Sequence, residues 1–168
     1  MSDVVLTPSQ TSGPLFGFCL LFDGCGGEDV PAEGRVRLKG SVVDGTGKGF
    51  GFPRGFVEVW HGAEWTRART DGDGFFQVHL GRPLARTAAD GAFLAPHLNV
   101  AVFGVGLLKH FLTRVYLPDE EEANRKDAVL EMLPEQDRER LVGRFSDDGS
   151  LHFEIVLQGA RETPSFGW

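Results

Sequence analysis

Polar and apolar residues alternate from Arg35 to Val43, in the run Arg-Val-Arg-Leu-Lys-Gly-Ser-Val-Val. Successive side chains of an extended chain point to opposite faces, so a period of two predicts a strand with one buried face. Phe56-Val57-Glu58-Val59-Trp60, Trp65 to Arg69, and Phe75-Phe76-Gln77-Val78-His79-Leu80 predict three more. Leu15 to Phe22 reads as a buried strand ahead of these. Ala95 to Phe103 and His110 to Leu117 read as two strands behind them, the second closed by Pro118. Leu141–Phe145 and Leu151–Leu157 flank Asp147-Asp148-Gly149, which predicts a hairpin. Asp44-Gly45-Thr46-Gly47 predicts a turn. Asp71-Gly72-Asp73-Gly74 predicts a hairpin turn rather than a calcium loop, which needs further ligands and a distant glutamate. Gly24 to Gly34 and Gly81 to Phe93 read as irregular. The acidic run Asp119 to Glu122 opens a short helical stretch, and Pro134 opens another that runs to Leu141. Many short strands separated by turn residues predict an all-β fold, a β-sandwich with short helices.

Ahead of this pattern lies Thr7-Pro8-Ser9-Gln10-Thr11-Ser12-Gly13-Pro14. Its prolines fix φ and push the residues before them toward extended conformations, so an extended N-terminal arm is expected over residues 1–15. Such an arm lies against its own domain or a neighbour. The whole chain, 168 residues and 41% hydrophobic, reads as a single domain over 1–168. A net charge of −7 makes nucleic acid an unexpected partner. No apolar run approaches the roughly 20 residues that cross a bilayer, so no membrane span is expected. Met1-Ser2-Asp3-Val4 does not open a secretory signal. Cys19 and Cys25 lack metal-ligand spacing and read as reduced thiols, so a cytoplasmic protein is expected.

Candidate chemistry is sparse. The chain has one tyrosine, Tyr116, and five histidines, His61, His79, His97, His110 and His152, spread apart in sequence. Serine, histidine and aspartate are present without a nucleophile motif to frame them.

The opening arm, Phe56-Val57-Glu58-Val59-Trp60, Ala95-Pro96-His97-Leu98-Asn99, Thr113 to Glu120 and Phe153-Glu154-Ile155-Val156-Leu157-Gln158-Gly159 occur in this order. That order resembles the α chains of protocatechuate 3,4-dioxygenases, within the intradiol ring-cleaving dioxygenases, over nearly the whole length. The resemblance implies a β-sandwich of the intradiol type in an (αβ)n hetero-oligomer. In it a homologous catalytic β subunit holds non-haem Fe(III) with two tyrosines and two histidines. That enzyme opens protocatechuate with O2 to 3-carboxy-cis,cis-muconate. Hard phenolate oxygens suit the hard ferric ion, and a chain with only Tyr116 lacks the second phenolate. The loop that carries a ligand tyrosine in catalytic relatives is here the short His61-Gly62-Ala63-Glu64, and Gly81 to Phe93 contains no tyrosine. The His-x-His pair is here His97-Leu98-Asn99, so His97 and Asn99 occupy the positions of the histidine ligands. No metal is therefore expected on this chain. By the same resemblance, Thr11, Gly13 and Pro14 line the substrate cleft of the β subunit. Val105 stands where an arginine often faces that cleft, so the resemblance implies either that the β chain holds the substrate carboxylate or that the chain is the α subunit of a dioxygenase for another substituted catechol. The competing expectation is a non-catalytic, transthyretin-like binding module.

Overall fold

The computed structural model describes residues 13, 15, 19–21, 35–51 and 54–167. Among these residues ten strands run in the order β1 (Arg35–Val43), β2 (Gly55–His61), β3 (Glu64–Arg69), β4 (Phe75–Gly81), β5 (Arg86–Thr87), β6 (Phe93–Leu94), β7 (His97–Gly104), β8 (Phe111–Tyr116), β9 (Arg144–Phe145) and β10 (Leu151–Val156). Three one-turn helices separate β8 from β9: α1 (Glu121–Asn124), α2 (Ala128–Glu131) and α3 (Glu135–Glu139). The first four-stranded sheet has the order β4-β1-β10-β9 and the second β3-β2-β7-β8, while β5 and β6 form a separate pair. All pairings are antiparallel except β1 with β10, which run parallel through Leu38↔Leu151 to Val43↔Val156.

The two sheets face each other over one core, as the alternating pattern requires. Leu38 and Val42 of β1, Val57 and Val59 of β2, Val100 and Val102 of β7 and Leu151 and Ile155 of β10 are all fully buried in it. Burying each such side chain contributes about 1.5–3 kcal/mol, so this shared interior outweighs any surface contact. A smaller cluster of Ala95, Tyr116, Leu130 and Leu141 packs the helices onto the start of β7 and the end of β8.

Four expectations need correction. The segment 15–22 is not a strand where it is described: Cys19 donates its N–H to the Leu15 carbonyl at 3.1 Å, and residues 19 and 20 are helical. Gly81 to Phe93 is not wholly irregular, since β5 lies in it and pairs with β6 through Arg86↔Leu94. Asp71 to Gly74 is a tight turn, with Gly74 at φ 86°, but its flanking strands belong to different sheets, so it is a corner rather than a hairpin. Helix α2 was not expected; Asp127 creates it by accepting the N–H groups of Val129 and Leu130, each at 2.9 Å. Of the expected arm only Gly13 and Leu15 are described, both exposed; Thr11 and Pro14 lie outside the described residues.

Candidate functional site

Of the positions singled out by sequence, His97, Asn99 and Tyr116 meet on the outer face of the second sheet, at the β7–β8 end. Register pairs His97 with Tyr116, and Asn99 with both Arg114 and Trp60. Because alternate residues share a face, His97, Asn99, Arg114, Tyr116 and Trp60 look away from the core between the sheets. The α1–α3 segment covers the His97 and Tyr116 end of this face, so both are buried.

Their polar atoms are largely spoken for. The Tyr116 hydroxyl donates to Asp127 Oδ1 at 3.0 Å and accepts from Arg114 at 3.3 Å. Asp127 is fully buried, and its other oxygen accepts the Ala95 N–H at 2.7 Å. One carboxylate thus ties α2, the approach to β7 and the end of β8 together. Burial pushes the Tyr116 phenol well above its ordinary value, with nearby Asp127 adding to the shift and Arg114 opposing it. His97 Nδ1 bonds the Ala95 carbonyl at 2.7 Å, and its ring lies 5.2 Å from the Tyr116 ring. Burial lowers the His97 pKa to about 4, the Ala95 bond opposes this, and the Arg114 and Arg86 guanidinium groups depress it further. His97 is therefore a neutral imidazole whose buried Nε2 has no hydrogen-bond partner. The Asn99 amide donates to the Trp60 carbonyl at 3.3 Å.

This set does not fit a ferric ion. Its single phenol is held protonated, where a ligand must ionise. An amide committed to the backbone replaces one imidazole. The β2–β3 connection is a two-residue turn, with Gly62 at φ 52°, and has no length to bring another side chain in. Glu64 pins that turn across the two sheets, accepting from Arg35 and, at 2.8 Å, from Gly81 N–H. His61 Nε2 lies 3.4 Å from the same carboxylate, yet burial depresses the His61 pKa, so this contact is a weak one. The remaining histidines do not gather here: His110 stacks on Phe103 at 5.4 Å, and His152 meets Ser150 at 3.0 Å. Among the described residues no three His, Cys, Asp or Glu side chains are placed to share a metal. Val105 sits apart from this cluster, half-exposed in the turn after β7, with its N–H bonded to the Arg54 carbonyl at 2.7 Å. The sequence reading missed Asp127, Glu64 and Arg114. Only Asp127 carried a local signal, an aspartate directly ahead of Ala-Val-Leu.

The sequence is 33% identical to the protocatechuate 3,4-dioxygenase alpha chain of Burkholderia cepacia over 99% of both chains. It is 31% identical to that of Pseudomonas putida over 95% of both. This chain belongs to the protocatechuate 3,4-dioxygenase α-chain family. No protein-family model matches the sequence. As an α-chain relative it has the intradiol fold. The hydroxyquinol 1,2-dioxygenase of Pseudomonas putida DLL-E4 superposes with a TM-score of 0.58 at 16% identity, over 92% of this chain and 68% of the other. The dioxygenase domain of a carbohydrate-binding fusion from Streptomyces sp. SirexAA-E superposes with 0.54 at 20% identity, over 95% and 96%.

Proposed function

We propose that this chain is the iron-free α subunit of a protocatechuate 3,4-dioxygenase. It stands beside a homologous catalytic β subunit in an (αβ)n hetero-oligomer, shapes that subunit's cleft and supports assembly. The assembled enzyme cleaves protocatechuate with O2 to 3-carboxy-cis,cis-muconate, and Fe(III) is held by the β subunit. The observation that carries this reading is Tyr116: the chain's one phenol is buried, and its proton is kept in a bond to Asp127. A site that stabilises ferric iron through phenolates has none to draw on here.

In this reading the chain is one domain, acts in the cytoplasm, and sends Thr11, Gly13 and Pro14 into the β subunit's cleft. Among the described residues nothing lies within 4 Å of a Cβ built at Gly13, which supports close backbone approach at that point. Val105 lines the same cleft with an aliphatic side chain. Arg54, whose carbonyl accepts the Val105 N–H, is an exposed cation beside that turn. It is the candidate for the carboxylate contact that Val105 cannot make.

The test is to purify the chain alone, then co-expressed with a companion that has paired tyrosines and a His-x-His strand. Alone, it is expected to hold no stoichiometric iron and to lack tyrosinate-to-iron absorption. With the companion, iron, colour and protocatechuate-dependent oxygen uptake are expected together. Full activity and stoichiometric iron in the chain alone overturn the reading.

A further inference from the structure

Strand β3 turns Thr66 and Ala68 into the core, so Trp65, Arg67 and Arg69 share the outer face of the second sheet. Two of them hold the chain that precedes the sandwich. Arg67 Nη1 donates to the Leu20 carbonyl at 3.0 Å, and Arg69 Nη2 donates to the carbonyl of Leu21. Residues 19 and 20 are helical, and the carbonyls at the end of such a turn have no partner within it. The two guanidinium groups supply those partners, as cations do at helix C-termini. The Leu21 side chain is only 1% exposed, so burial holds the same point.

Arg67 is itself fixed from several sides. Its Nε and Nη2 donate to Oε1 of Glu58, its cross-strand neighbour, at 3.0 and 2.6 Å. Its guanidinium carbon lies 5.2 Å from the centre of the Phe56 ring and 5.0 Å from that of Trp65. A planar fork that meets a carboxylate, two rings and a carbonyl at once is held in one orientation. Ahead of this clamp the contacts thin out. Leu15 is exposed, and its carbonyl accepts the Cys19 N–H. Among the described residues nothing lies within 4 Å of a Cβ built at Gly13.

We propose that Arg67 and Arg69 are positioning residues, which clamp the Leu20 and Leu21 carbonyls to the second sheet and so fix the root of the N-terminal arm that enters the partner's cleft. The inference rests on the subunit reading above and adds how this chain holds its arm in place. A segment with a fixed root has less freedom to lose when it meets its target. An arm on a loose root still leaves the subunits assembled, but it walls the cleft for less of the time.

The experiment measures protocatechuate-dependent oxygen uptake by the full chain co-expressed with the companion that has paired tyrosines and His-x-His. Iron content and association are measured beside it. Arg67→Lys with Arg69→Ala is expected to lower kcat/KM about tenfold, chiefly through KM, because a single ammonium stays with Glu58 and releases Leu20. Iron content and association are expected to stay at wild-type values. Arg69→Lys alone is expected to keep kcat/KM within about twofold, since an ammonium still serves one carbonyl. Gly13→Leu probes the arm directly. It is expected to raise KM in the wild type and to add little in the double variant, where an unrooted arm no longer holds that side chain in the cleft. Unchanged kinetics in the double variant, a loss that follows iron content or association, a silent Gly13→Leu in the wild type, or full additivity between the two overturns the clamp while the subunit reading stands. So does an Arg69→Lys loss as large as that of the double variant. If the wild-type chains do not associate or take up oxygen together, the subunit reading falls and the clamp with it.

Discussion

Tyr116 and His97 sit ring against ring, and both are held uncharged by burial. For Tyr116 the sign follows from a pKa that burial raises well above its ordinary value of 10.0. The fold favours the protonated phenol, so its contribution is intact below pH 10 and is lost as pH rises through the raised native value. Since the chain has one tyrosine, absorbance near 295 nm reports it alone. The folded chain is expected to show no phenolate at pH 11, and the signal is expected to appear on unfolding at that pH. Phenolate at pH 11 in the folded chain would contradict the Asp127 bond. For His97 the sign is opposite in pH. Its folded pKa of about 4 lies below the ordinary 6.5, so the unfolded chain binds a proton that the native chain refuses. Stability is then full above pH 6.5 and falls as pH drops toward 4, by at most about 3 kcal/mol. Urea unfolding at pH 7.5 and 5 should show this loss in the wild type and a smaller one in His97→Gln. An equal loss in both would move the cause elsewhere. The residue count that excluded a two-phenolate site was readable in the sequence. The reason Tyr116 cannot ionise was not, because Asp127 reaches it only through the packing of α2.

At the scale of elements, Gly40 shows how closely the strands are fitted. It sits mid-strand in β1, opposite Phe76 of β4. A Cβ there would lie 2.1 Å from the Phe76 ring, which covers the position. Gly40→Ala is expected to destabilise the chain by about 1–3 kcal/mol through overpacking, measured as a lower urea midpoint with an unchanged slope. Unaltered stability would mean that Phe76 has another place to go. The long strands were legible because each sets an apolar residue at every second position, as Arg35–Val43 does. The two-residue strands β5 and β6 were not, since two residues carry no period. Helix α2 escaped for the same reason: four residues give no helical repeat, and a cap with its tertiary partners sustains it. The corner at Asp71–Gly74 has hairpin chemistry, with Asp71 Oδ1 accepting from Asp73 and Phe75 N–H groups, each at 2.9 Å. Which sheet the next strand joins is decided by the core and not by the turn.

At the scale of the whole molecule, the sandwich followed from the pattern of strands, and the α-chain resemblance agrees with the 31% and 33% identities. The cation-lined outer face of the first sheet was not legible. Arg69, Arg140, Arg144 and Arg161 are far apart in the chain and gather only once β10 lies beside β1. That parallel pairing has a further consequence, in time rather than in space. β1 and β10 stand far apart along the chain, so Leu38 and Val42 gain their β10 neighbours only by closing a very long loop, and the first sheet is completed late in folding, after the local antiparallel pairs have formed.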